Sequence, residues 1–256
     1  LAATRQKLFN LATAPYVMWC DADDKFISTI ALSLILSITN TNCDAIICDF
    51  FEQHIFPDKP ALYIPHKDDS VFVHGKIYRT EFLRNNKIQW HPELHEHQDS
   101  PFNVLARTCA KDTKLLSIPI YLWCDNPKSI SRVNGVEHLP NTWPHMIDSY
   151  QALVDDFKDR GYGSHSCYYA KFCLYATYYE LAHDVWTREN VSERKMIVYK
   201  RLKEFYDKNE LLIKNCDEKM IEQIDKATKE NAEKKGKLND MPPFDEWLAA
   251  ILNIFK

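Results

Sequence analysis

Residues 16–24 read Y-V-M-W-C-D-A-D-D, and the fold turns on them. Tyr16 to Cys20 is an unbroken apolar run, which predicts a strand buried on both faces. Three carboxylates, Asp21, Asp23 and Asp24, stand at its carboxyl end. Open α/β sheets bind ligands at that end of their strands. Like charges this close repel, and a divalent cation with oxygen ligands relieves the repulsion. Alternate positions beyond a strand end converge on one ion, so Asp21 and Asp23 are the expected metal or ligand contacts. Asp24 is expected to cap the following helix.

Upstream, residues 1–14 predict a helix with Leu1, Leu8, Leu11 and Ala12 on one face and Pro15 at its exit. Downstream, a very apolar helix is expected over Phe26 to Ile38 and a buried strand over Asp44 to Phe51. Residues 52–70 carry Pro57, Pro60 and Pro65 and read as irregular with an edge hairpin. Val71 to Tyr78 reads as a strand and Thr80 to Asn86 as a short helix. His91 to Ser100 is a loop dense in histidines and carboxylates. A helix over Pro101 to Ala110 has proline at its first position, and Leu115 to Cys124 is the last strand. From about Asn141 strand signals stop and four or five helices follow. The expected division is therefore an α/β domain over 1–140 and a helical domain over 141–256. Residues 188–237 interleave both charge signs, as solvated helix faces do. The amphipathic segment Phe244 to Phe255 is expected to dock on the chain's own core, with peripheral membrane contact as its other use.

Composition narrows the function classes. A hydrophobic content of 45% in 256 residues suffices for a sizeable core. The net charge of -4 argues against a generally basic nucleic-acid binder. Five glycines, at 75, 135, 161, 163 and 236, build neither a P-loop nor a dinucleotide fingerprint. Eight cysteines without a C-x-x-C pair suit a reducing compartment, so a cytoplasmic protein is expected. No transmembrane segment or signal peptide is expected.

A second acidic stretch is H-E-H-Q-D-S over 95–100. A helix N-terminus stabilises an acid as its anion, so Asp99 reads equally as cap or catalyst. His91, His95 and His97 invite a zinc reading, but H-P-E-L-H lacks the H-E-x-x-H order. His74 and His138 read as structural. Lys76, Arg79 and Arg132 read either as partners of a diphosphate or as surface charges.

The order of these pieces resembles the family-2 glycosyltransferases of GT-A fold, over about residues 1–135. A-A-T-R-Q at 2–6 loosely matches the family's Ala-Arg-Asn-like helix. Asp21 to Asp24 match its D-x-D-D motif, and Gly75 to Arg79 its G-K-x-Y-R element. Gln98-Asp99 stands where the family has a Glu-Asp pair, with Gln replacing Glu. The family's opening strand and helix, which bind the nucleotide base, have no counterpart. The resemblance thus implies an N-terminally incomplete GT-A-like, mostly parallel sheet flanked by helices, followed by an all-helical region. It implies inverting, metal-dependent transfer of a sugar from a nucleotide-sugar, UDP-linked, to a hydroxyl of a carbohydrate or other acceptor. Asp23 and Asp21 would hold Mn2+ or Mg2+. Asp21, Arg5, Lys76 and Arg132 would bind the donor, and Asp99 would be the base. Gln98, His97 and Glu96 would orient the acceptor. Two alternatives remain at this point. One is a haloacid-dehalogenase-type phosphatase with Asp21 as nucleophile, although Lys25 stands where that type has a small hydroxyl residue. The other is an inactive sugar-nucleotide-binding or scaffold relative.

Overall fold

A computed structural model describes residues 1–39, 42–129, 138–182, 192–236 and 241–255. The chain divides into two units, Leu1–Arg132 and Val133–Lys256.

The first unit is built on a six-stranded sheet: β1 Tyr16–Met18, β2 Lys25–Phe26, β3 Ala45–Phe56, β4 Lys59–His66, β5 Lys76–Arg79 and β6 Thr113–Trp123. Its order is β1-β5-β3-β6-β2, with β4 also paired to β3. β3 forms the centre because its first half is a continuous apolar run. Ala45, Ile46, Ile47, Cys48 and Phe50 are all buried, as a strand covered on both faces requires. Among the described pairings only β3–β6 is parallel; β1–β5, β2–β6, β3–β4 and β3–β5 are antiparallel. The expected mostly parallel sheet is corrected accordingly. β3 runs straight back into β4 through Pro57-Asp58, and such a hairpin can only be antiparallel. Pro60 and Pro65 are tolerated because, among the described residues, β4 pairs with β3 alone.

Three other expectations change. The strand at Tyr16 is neither central nor buried on both faces: β1 is three residues long, half-buried and, among the described residues, paired only with β5. Trp19 leaves the sheet to pack edge-on against Trp90 and Phe102, with centroids 5.3 and 5.1 Å away. Phe26 lies in β2 opposite Tyr121, so the next helix, α2, spans only Ala31–Thr39. In α1, Ala2–Leu11, the buried residues are Ala2, Arg5 and Phe9, whereas Leu1, Leu8 and Leu11 are exposed. The buried stripe keeps helical spacing, but an arginine sits in its middle. α3 is Thr80–Asn85, and α4, Asp99–Cys109, begins two residues before Pro101.

Gly75 closes the loop into β5. Its φ is +70°, and a Cβ there would lie 2.7 Å from the carbonyl oxygen of Cys48. That carbonyl belongs to the central strand and cannot move aside. Gly75→Ala is therefore expected to lower stability by about 1–3 kcal/mol, read as a lower urea midpoint.

The second unit holds α5 His138–Asp159, α6 Gly163–Glu180, α7 Ser192–Lys214, α8 Glu218–Lys235 and α9 Phe244–Ile254. Trp143, Leu174, Leu202, Trp247 and Ile251 share its core. The amphipathic closing helix thus docks on this unit's own core. No described helix is long and apolar enough to cross a membrane.

Candidate active site

Arg5, on the buried face of α1, organises the site. Its guanidinium donates to both carboxylate oxygens of Asp21, at 2.8 and 3.0 Å, and to Asp99. The Arg5 side chain is 5% exposed. It is held from behind by Trp90, whose ring centroid lies 4.8 Å from the guanidinium carbon. Trp90 in turn stacks on Phe102 at 4.2 Å. α1 and α4 therefore fix one planar cation between an acid from the loop after β1 and an acid from the start of α4. Guanidinium suits this place, because its fork serves two carboxylates at once.

Asp99 opens α4, where the helix dipole favours an anion. The N–H of Val73 donates to its second oxygen at 3.2 Å. Burial nevertheless raises its pKa above the usual 3.8, against the lowering effects of Arg5 and the Val73 N–H. Gln98 is buried, and with its amide nitrogen facing inward it donates to the carbonyls of Leu94 and His95 at 3.3 Å. That role is structural. His97 has a φ of +55°, which turns the loop just before α4. Glu96 and His97 are half-buried.

Asp24 does not cap a helix. Its carboxylate accepts from the Tyr121 hydroxyl at 2.5 Å and from the Cys124 N–H at 2.8 Å, tying the acidic loop to the end of β6. The Tyr121 hydroxyl also accepts from the Asp21 N–H at 3.1 Å. Burial, the largest influence, raises the Asp24 pKa above its usual value. Asp23 is exposed and accepts from the Asn126 side chain at 2.8 Å. It is not one of the residues whose ligand atoms cluster. The cluster that is brought together is Asp21, Asp24 and His74, whose ligand atoms all lie within 4.8 Å of one another. His74 precedes Gly75 and is 4% exposed. Burial pushes its pKa down to about 4, so the ring is neutral at pH 7.

Lys76 is 1% exposed and its ammonium bonds Asp69 at 3.0 Å. Burial lowers its pKa, opposed by Asp69. It braces the loop before β5 through Asp69. Arg79 pairs with Asp44 at 2.5 Å, a tie at the far end of β5. Arg132 lies outside the described residues. His74 and Tyr121 were not singled out as site residues from sequence. Their signal is weak: one histidine beside a glycine, and one tyrosine in an aromatic strand.

No protein-family model matches the chain. A curated relative, the uncharacterized glycosyltransferase EpsJ of Bacillus subtilis (strain 168), is 23% identical over 180 residues, covering 63% of this chain and 52% of that protein. The chain spans about half the length of that relative. Among solved structures, S. aureus TarS 1-349 in complex with UDP-GlcNAc matches with a TM-score of 0.56 at 12% identity, covering 95% of this chain and 78% of that one. The same TarS piece in complex with UDP matches at 0.51 and 13%, covering 91% and 70%. At such identities the structures speak for the fold alone. In sequence the chain is thus similar to a glycosyltransferase, and in fold to TarS, in line with the family-2, GT-A resemblance.

Proposed function

We propose that the α/β unit transfers a sugar from a nucleotide-sugar, UDP-linked, to an acceptor hydroxyl with inversion at the anomeric carbon. The observation that carries this reading is the convergence of Asp21 and Asp99 on Arg5. One acid comes from the D-x-D-D loop and the other from the helix start where the family resemblance puts the base. The solved TarS complexes contain UDP and UDP-GlcNAc, which supports the donor class. Inverting displacement needs one base on the face of the sugar opposite the leaving group. Asp99 takes the acceptor's proton, and burial raises its basicity. Arg5 holds both acids in register, so neither has to reorganise during the reaction.

A divalent ion, Mn2+ or Mg2+, belongs at the loop of Asp21 to Asp24. The donor set there is two carboxylates and a neutral imidazole, which fits such an ion. When bound it neutralises charge on the leaving diphosphate. A cytoplasmic setting is part of the reading, since all eight cysteines are free thiols.

The phosphatase alternative asks Asp21 to be a free nucleophile. Both of its oxygens instead accept from Arg5, which lowers their nucleophilicity.

A panel of UDP-sugars with Mn2+, read by thermal shift and then by release of UDP, tests the proposal. A donor at 100 times its Kd should stabilise the fold by about 2.7 kcal/mol, visible as a raised Tm. A folded chain that no UDP-sugar stabilises, and that releases no UDP, would sink the donor assignment.

A further inference from the structure

We propose that His74 supplies the nitrogen ligand, and Asp21 and Asp24 the oxygen ligands, of a divalent metal site that takes Mn2+ ahead of Mg2+. This deepens the metal-assisted reading above and rests on it for its use in transfer.

The first support is an orphaned atom. His74 is buried, and its Nδ1 has no hydrogen-bond partner among the described residues. A buried polar atom left this way is costly. Its nearest charged neighbour is an Asp24 oxygen at 3.9 Å, too far for a hydrogen bond. The ring cannot swing away to find another partner. It lies nearly parallel to Tyr121 at 4.8 Å and to Phe72 at 5.9 Å. Its lone pair is therefore kept beside the two carboxylates.

The second support is spacing. Metal–ligand bonds of about 2.0–2.2 Å let two ligand atoms lie up to about 4.4 Å apart. The cluster spans at most 4.8 Å, so it closes on an ion through small side-chain shifts.

Charge is the third support. Asp21 and Asp99 share the one guanidinium of Arg5, and Asp24, bonded by the neutral Tyr121 hydroxyl and Cys124 N–H, adds a further carboxylate, which leaves negative charge for a cation to balance. Asp24 is oriented by the Tyr121 hydroxyl and the Cys124 N–H, as metal-binding carboxylates commonly are by outer hydrogen bonds. The carboxylates retain lone pairs beyond those already used.

This ligand set differs from the Asp21–Asp23 pair that the D-x-D pattern implies. Asp23 is turned toward Asn126 and lies outside the cluster. The difference has a chemical consequence. Imidazole suits transition metals, whereas Mg2+ prefers an all-oxygen shell.

The test is direct binding, without nucleotide or acceptor. The chain, stripped with EDTA, is titrated with Mn2+ by calorimetry and by electron paramagnetic resonance. One Mn2+ should bind per chain, with nitrogen modulation in the spin echo. His74→Phe keeps an aromatic ring in the stack but removes the nitrogen. It should abolish the modulation and weaken Mn2+ at least about 10-fold, with Mg2+ affinity changing less. Asp23→Asn should keep the modulation. Bound Mn2+ without nitrogen modulation, unchanged affinity in His74→Phe, or loss of binding in Asp23→Asn would each overturn the assignment. So would a folded chain that binds no Mn2+ at millimolar concentration. Should His74→Phe not fold, the modulation in the unaltered chain decides alone. Mn2+ binding with nitrogen modulation but no transfer would overturn the transferase reading and leave the site standing. Transfer without the modulation would do the reverse.

Discussion

Asp99→Asn is expected to lower single-turnover transfer about 10²–10⁴-fold while leaving donor binding within a few-fold. Asparagine keeps the shape, and its one amide oxygen can still accept from Arg5, which donates to one Asp99 oxygen, while the contact from the Val73 N–H to the other oxygen is lost. The amide cannot take a proton. The fold should therefore survive, and the loss should fall on the chemical step rather than on KM for the donor. The unaltered protein carries a matching pH signature. Burial is the largest influence on Asp99 and raises its pKa above 3.8. Transfer by an ionised base falls as pH drops through that raised value, so the acid limb of the rate profile should lie above pH 3.8. In Asp99→Asn this limb should vanish from whatever rate remains. Transfer within a few-fold of the parent, at saturating donor, would remove Asp99 as the base.

What the sequence discloses here depends on how local the deciding physics is. β3 was legible because Ala45 to Phe50 is an apolar run that needs cover on both faces, and nothing else in the chain explains it. The hairpin after it was legible from three prolines that a central strand would not accept. Strand direction was not, because direction is set by which strands become neighbours, and the turn at Pro57-Asp58 made β3–β4 antiparallel. β1 was misplaced for a related reason. Tyr16 to Met18 look like a core strand, yet what buries Trp19 is an aromatic cluster from α1, α4 and the loop between β5 and α4. In α1 the visible leucines drew the face to the wrong side. The stripe that packs inward contains Arg5, and a buried arginine is invisible to hydrophobic periodicity. The acids were found, because three carboxylates in four positions need an explanation wherever they lie. Their division of labour was not, since it rests on Tyr121 and His74, which lie about 100 and 50 residues further along the chain. The D-x-D pattern weights Asp21 and Asp23, and only the register of β2 against β6 turns Asp24 inward.

Arg5→Met should be the most destabilising change at the site. Removing one member of a fully buried ion pair costs about 3–5 kcal/mol. Arg5 is 5% exposed, but Asp21 and Asp99 are 30% and 19% exposed, so solvent takes up part of the unpaired charge. The expected loss at pH 7 is then on the order of 2–4 kcal/mol, read as a lower urea midpoint. Methionine fills much of the same volume and keeps an apolar contact with Trp90, so the loss reports charge more than packing. The sign with pH follows from Asp99. Arg5 is the chief influence holding its pKa down against burial, so without Arg5 that pKa rises further. The native state of the variant then binds its proton more tightly than the unfolded chain does. Its deficit relative to the parent should shrink as pH falls and Asp99 becomes neutral. Arg5→Lys separates fork from charge: an ammonium can pair with one acid but not span both in fixed geometry. Stability should recover in part in that variant, while transfer stays low because Asp21 and Asp99 are no longer held in register. Full recovery of transfer in Arg5→Lys would show that any cation suffices there, and that the planar bridge does not position the two acids.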